Sequence, residues 1–192
     1  MGYTTEFAGR FNLDRPLTPE HATYLNRFNQ TRRVQRNAEL AETLPDSTRL
    51  AVNLPIGIEG EYFVGSNEKD ASIINYNAPP KSQPGLWCDW KPTVDHRGIE
   101  WDGMEKFYYY TEWLEYYLKN FIIPWGYTLN GTISWQGEDE TDQGEIMVKD
   151  NVMEVVADKK VLRKQKKTMD QYQTITNRLL SALGNNVVVL GK

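Results

Sequence analysis

The chain has 192 residues, of which 40% are hydrophobic and 25% charged, with a formal net charge of -4. Such proportions fit one globular domain with an appendage, and they exclude a disordered chain, a collagen-like repeat and a disulfide-stapled miniprotein. The acidic balance argues against a surface that grips nucleic acid throughout, and the lone Cys88 allows no intrachain disulfide and points to a reducing, cytoplasmic setting.

Met1 to Glu6 carry no basic-then-apolar signal pattern, and Glu6 stands where a myristoylation pattern wants Ser or Thr. No apolar run approaches the ~18 residues that a membrane helix needs. Tyr3, Thr5, Phe7, Gly9, Phe11 and Leu13 alternate, which predicts a half-buried strand. Thr18-Pro19-Glu20 reads as a helix cap, a first-turn proline and a first-turn acid. Ala22, Leu25 and Phe28 supply that helix's apolar face, and a basic stretch from Thr31 to Arg36 ends it.

Between 37 and 60 the pattern predicts only a short helix near Ser47 to Val52. Glu61 to Val64 reads as a short strand, and 65–85 as a long loop broken by Pro79-Pro80 and Pro84-Gly85. Leu86 to Trp90 and Arg97 to Trp101 flank a polar turn and predict a hairpin. Phe107, Tyr110, Leu114, Tyr117 and Phe121 predict a second helix from about Gly103 to Phe121, stopped by Pro124 and Gly126. Alternation then returns from Tyr127 to Trp135, and a last hairpin turns at Asp150-Asn151.

This order predicts an α+β fold: a mainly antiparallel sheet with two principal helices on one face, in a ferredoxin-like βαββαβ elaboration. The core domain is expected over 1–157. Residues 158–192 are expected to form a basic amphipathic helix and a short strand tail. Lys159, Lys160, Arg163, Lys164, Lys166 and Lys167 make the basic block, and Met169, Tyr172, Ile175, Leu179 and Leu183 the apolar stripe. Val187 to Leu190 would leave an apolar edge in need of cover, so the tail is expected to mediate homo-oligomers. The block would otherwise be a solvated face, and nucleic-acid binding is not favoured.

The strings Tyr3-Thr4-Thr5-Glu6-Phe7, Leu13 to His21 (LDRPLTPEH), Gln83 to Cys88 (QPGLWC), Glu100-Trp101-Asp102-Gly103, and Pro124 to Tyr127 with Trp135 to Glu138 form a set. On these the chain from Tyr3 to about Val155 resembles a family of bacterial and phage proteins with no established activity. The resemblance implies a phage or prophage setting and no mechanism, and it stops near Asp158.

All six tryptophans lie between Trp87 and Trp135. The predicted hairpin has aromatics on both faces, although a covered sheet needs only one. A ligand site is therefore expected around Trp87, Trp101 and Trp113, with Asp89, Glu100 and Gln136 as polar contacts. The competing reading is that the Pro-rich loop covers these rings as a second core. Asp89, Asp95, Glu100 and Asp102 would be acid–base or cation-binding carboxylates, or a solvated hairpin edge. Asp139 to Asp150 echoes a calcium loop, but the last position is Asp and strands flank it, so an acidic turn is expected. His21 and His96 read as surface residues and Cys88 as a small buried one; no catalytic residue, metal site or cofactor is assigned. Three functional readings compete. The first is a non-enzymatic binding protein for a small nucleotide-like ligand or a host protein. The second is a metal-dependent nucleotide hydrolase or transferase using the hairpin carboxylates. The third is a structural self-assembling protein.

Overall fold

The computed structural model describes residues 2–157; the predicted tail of 158–192 lies outside the described residues. The fold is α+β, built on a six-stranded sheet whose paired strands all run antiparallel. Strand β1 (Thr5–Leu13) leads into helix α1 (Pro19–Gln30). The Thr18 side chain caps this helix by accepting from the His21 amide, and Pro19 occupies its first turn, where no amide donor is needed. Two short elements follow, β2 (Gln35–Arg36) and α2 (Ala38–Glu42), then α3 (Ser47–Ala51), capped by Asp46. Strand β3 (Ile73–Asn75) pairs with β2 as a separate two-stranded ribbon. The hairpin of β4 (Trp90–Pro92) and β5 (Gly98–Trp101) comes next, then α4 (Tyr110–Tyr117), which runs on into a π turn over Leu118–Ile122. Strands β6 (Leu129–Gly137), β7 (Gln143–Lys149) and β8 (Val152–Ala157) complete the sheet in the order β4-β5-β1-β6-β7-β8.

Period-two alternation decides which face is covered. Phe11, Leu13, Leu129, Ile133, Trp135, Ile146 and Val148 are buried, whereas Glu6, Ala8, Arg10, Asn12, Thr132 and Ser134 between them are exposed. The buried face meets α4 through aromatic contacts: Phe7 to Tyr110 at 4.9 Å and Trp135 to Tyr110 at 6.1 Å between ring centroids. Helix α1 packs against α4 and the π turn, with Phe28 against Phe121 at 5.1 Å. Burying a ring such as Phe28 completely contributes about 2–3 kcal/mol. At the centre, Gly131 has φ 141° and sits opposite Phe11. A Cβ there would lie 3.0 Å from the Arg10 carbonyl oxygen, so a side chain would push β1 and β6 apart.

Local departures from the expected pattern have identifiable causes. Residues 61–64 are not a strand; they follow a 3-10 turn at Ile58–Gly60, and Phe63 and Val64 bury their side chains from irregular backbone. Helix α4 begins at Tyr110 rather than near Gly103, because Lys106 and Tyr109 both take left-handed backbone angles, φ 66° and 58°. The stretch 65–85 contains β3, and α2 precedes α3 where no helix was expected. No helix among the described residues is long and apolar enough to cross a membrane.

Candidate functional site

A cavity of about 860 Å³ opens where three stretches of chain meet: the end of α1, the segment 77–89 and the loop 102–109. Each wall has a local reason for its place. After α1, the Arg33 amide donates to the Leu86 carbonyl at 2.8 Å, which ties the Pro84–Trp87 stretch to the helix exit. Gln83 anchors the same stretch from below, donating from Nε2 to the Glu61 carbonyl at 2.7 Å and to the Tyr116 hydroxyl at 3.1 Å. Trp87, held on this segment, is 43% exposed. Across from it, the left-handed Tyr109 turns the chain into α4 and leaves Tyr108 and Tyr109 half exposed at the cavity.

Three carboxyl groups line the cavity, those of Asp89, Asp102 and Glu105. The β4–β5 pairing runs one residue past the strand ends, where the Asp102 amide donates to the Asp89 carbonyl at 3.0 Å. Asp102 is fully engaged. Its Oδ2 accepts from Asn29 Nδ2 at 2.7 Å and its Oδ1 from the Met104 amide at 2.9 Å. Asn29 also donates to the Cys88 carbonyl at 3.0 Å, so it bridges the two strand ends. The Asp89 carboxyl differs. The residue is 7% exposed, and its side chain has no hydrogen-bond or ion-pair partner among the described residues. Burial, and secondarily the Asp102 charge beside it, push its pKa up to about 7.

A second orphan lies behind the wall. Trp113 is fully buried, packed edge-on against Phe28 and Tyr116, and its Nε1 has no partner. Gly85 lines the cavity in front of it: a Cβ built on Gly85 would sit 3.5 Å from Trp113 Nε1 and 3.5 Å from the Tyr109 ring. The absence of a side chain at 85 leaves the indole N–H close beneath the cavity surface.

Of the six residues expected to form a ligand site, the structure brings Trp87 and Asp89 together at the cavity and puts Trp113 just behind it. Glu100 alternates with the half-buried Trp101 along β5 and lies 3.9 Å from Lys91 Nζ. Trp101 packs on Phe7 and donates from Nε1 to the Met104 carbonyl at 3.1 Å. Gln136 sits on β6, where its amide donates to the Gly137 and Asp139 carbonyls, both at 3.1 Å. Asn29, Arg32 and Tyr108 join the cavity without having been singled out, and Tyr109 joins it as an aromatic off the apolar stripe of the second helix. The sequence holds little to mark them, since their convergence depends on the non-local Arg33–Leu86 and Asn29–Asp102 bonds.

The remaining candidates resolve locally. Asp95 is a turn residue that accepts from Thr93 Oγ1 and the Arg97 amide, which together with Arg10 hold its pKa down at about 2. The acidic loop after β6 closes on itself, with Asp139 Oδ1 accepting from the Thr141 amide and hydroxyl. Cys88 is buried, and desolvation pushes its thiol far up. Among the described residues no group of three or more His, Cys, Asp or Glu side chains is arranged to hold a metal ion. No family model, curated protein or solved structure matches this chain.

Proposed function

We propose that this is a binding protein for a small, planar, nucleotide-like ligand, with the cavity between α1, 77–89 and 102–109 as its site. The observation that carries the reading is the unpartnered carboxyl of Asp89, a residue only 7% exposed, in one cavity with the exposed rings of Trp87, Tyr108 and Tyr109. Apolar flat walls with a few convergent polar groups suit a flat heterocycle. Arg32 supports the nucleotide element of the reading. It lines the cavity, with Nε donating to the Tyr76 carbonyl and the guanidinium over the Tyr76 ring and 5.9 Å from the Trp87 ring centroid, and a guanidinium so placed suits a phosphate. Stacking on an exposed ring is worth roughly 1–3 kcal/mol, so two rings and a few hydrogen bonds give on the order of micromolar affinity.

Tryptophan fluorescence titrated with a panel of nucleosides and nucleotides tests this. A saturable quench that Trp87→Ala abolishes is the expected result. No quench and no rise in melting temperature with any of them would overturn it.

The ferredoxin-like reading of the scaffold draws support from the order β4-β5-β1-β6, with α1 between β1 and β4 and α4 between β5 and β6. A phage or prophage setting rests on the sequence resemblance. Self-association through 159–192 rests on the apolar stripe and the Val187 to Leu190 run, and light scattering of full-length and truncated protein tests it.

A further inference from the structure

Resting on the reading of this cavity as a ligand site, we propose that Asp89 receives a planar group bearing two adjacent N–H donors. A guanine ring presents such an edge, and so does an amidinium cation.

A nearly buried carboxyl that makes no hydrogen bond is costly unless something outside the protein supplies donors. Asp89 is 7% exposed and lines an open cavity in which neither Arg32 nor Lys106 bonds to it, so its donors come from an occupant or from solvent. Its neighbour offers none, because Asp102 is itself an acceptor whose two oxygens are taken by Asn29 and Met104. The field of Asp102 adds to the demand for donors and repels an acceptor lone pair.

The two oxygens of one carboxylate match two parallel N–H groups in a single plane, and such bidentate pairs are the strongest and most geometrically selective of their kind. An adenine edge offers one donor beside one acceptor. Against Asp89 it makes one bond and sets its ring nitrogen against the second oxygen. The exposed aromatic side chains of Trp87, Tyr108 and Tyr109 favour a flat group, which would share the Trp87 ring with the Arg32 guanidinium 5.9 Å from its centroid. Guanine and amidinium therefore share one recognition chemistry at this site.

The test is calorimetric titration of the full-length protein at pH 8.5, where the Asp89 carboxyl is ionised, with guanosine, adenosine and benzamidine, repeated on Asp89→Asn and Trp87→Ala. Guanosine or benzamidine should bind at least about tenfold tighter than adenosine. Asp89→Asn should erase that ranking, and Trp87→Ala should weaken whatever binds. Tight binding of guanosine alone assigns the site to a base, and of benzamidine alone to a cation; both sustain the donor-pair chemistry. Adenosine binding as tightly as both others overturns it while leaving a planar-ligand site standing. Binding of none of the three or of the wider nucleotide panel removes the site itself. The wild-type ranking decides the matter even if a variant fails to fold.

Discussion

The imidazole of His21 lies flat on the indole of Trp125, with ring centroids 3.9 Å apart and planes inclined by 7°. The His21 Nδ1 sits 2.9 Å from the Tyr127 hydroxyl, so the ring is wedged between α1 and the approach to β6. Burial lowers its pKa, and Arg15 lowers it further against an opposing pull from Glu20. Its proton-detected titration should fall below the usual 6.5. The unfolded chain takes up that proton first as pH drops. The contribution to stability is therefore whole above about 6.5 and is lost as pH falls through the folded value. Trp125→Ala should uncover the ring and return its pKa toward 6.5, which an NMR titration of the His21 ring protons reads directly.

Asp89 works in the opposite sense. Its folded pKa of about 7 lies above the ordinary carboxyl value of 3.8, so the folded chain holds a proton that the unfolded chain has released. Stability from this group is whole below about 3.8, declines as pH rises, and is gone above about 7. Undiluted, the shift corresponds to about 4 kcal/mol, which solvent in the open cavity screens to about 2. Asp89→Asn should remove the decline, making the protein more stable than wild type at pH 8 and nearly equal to it at pH 4. Urea melts at the two values check this.

Tyr109 pairs a left-handed backbone, φ 58° and ψ 35°, with a ring that is 57% exposed. A residue with a Cβ pays about 1 kcal/mol in that conformation and glycine does not. Tyr109→Gly should therefore melt at the same temperature as wild type or higher, while nucleoside affinity falls several-fold through loss of one wall. A lower melting temperature together with unchanged affinity would contradict both halves.

Gly131→Ala tests the sheet instead. The new methyl would meet the Arg10 carbonyl oxygen at 3.0 Å and Phe11 Cα at 3.1 Å, both backbone atoms that yield only if β1 moves. Together with the φ of 141°, this should cost about 2–3 kcal/mol, seen as a lower urea midpoint at unchanged slope.

The long strands of the six-stranded sheet were plain in the sequence because alternation is a local signal, whereas the short β2–β3 ribbon was not. Phe11 and Leu13, Ile133 and Trp135, and Ile146 and Val148 each announce their buried face within a few residues. The start of α4 was not plain. Its apolar spacing reaches back to Phe107, and nothing in the composition of Lys106 or Tyr109 marks a left-handed turn. The cavity was legible in part. Trp87 and Asp89 stood out as an aromatic and a carboxyl on one short segment. The partner of Asp102 was misleading, since two-residue spacing on a strand would set it beside Glu100. The chain leaves the strand after Trp101, and the cross-strand bond to Asp89 sets it beside that residue instead. Asn29 and Arg32 lie about sixty residues upstream, and only the folded chain carries them to the site.

The walls of the cavity come from residues 29–32, 77–89 and 102–109. A molecule seated among them fastens three distant lengths of chain that no disulfide joins. Its occupancy therefore enters the unfolding equilibrium of the whole domain, adding about 2.7 kcal/mol at a hundredfold excess over its Kd. Unfolded chains are what proteases remove, so if the cavity is a ligand site, abundance in a cell would track ligand concentration, and the steady-state level of the protein would itself report the supply of that ligand.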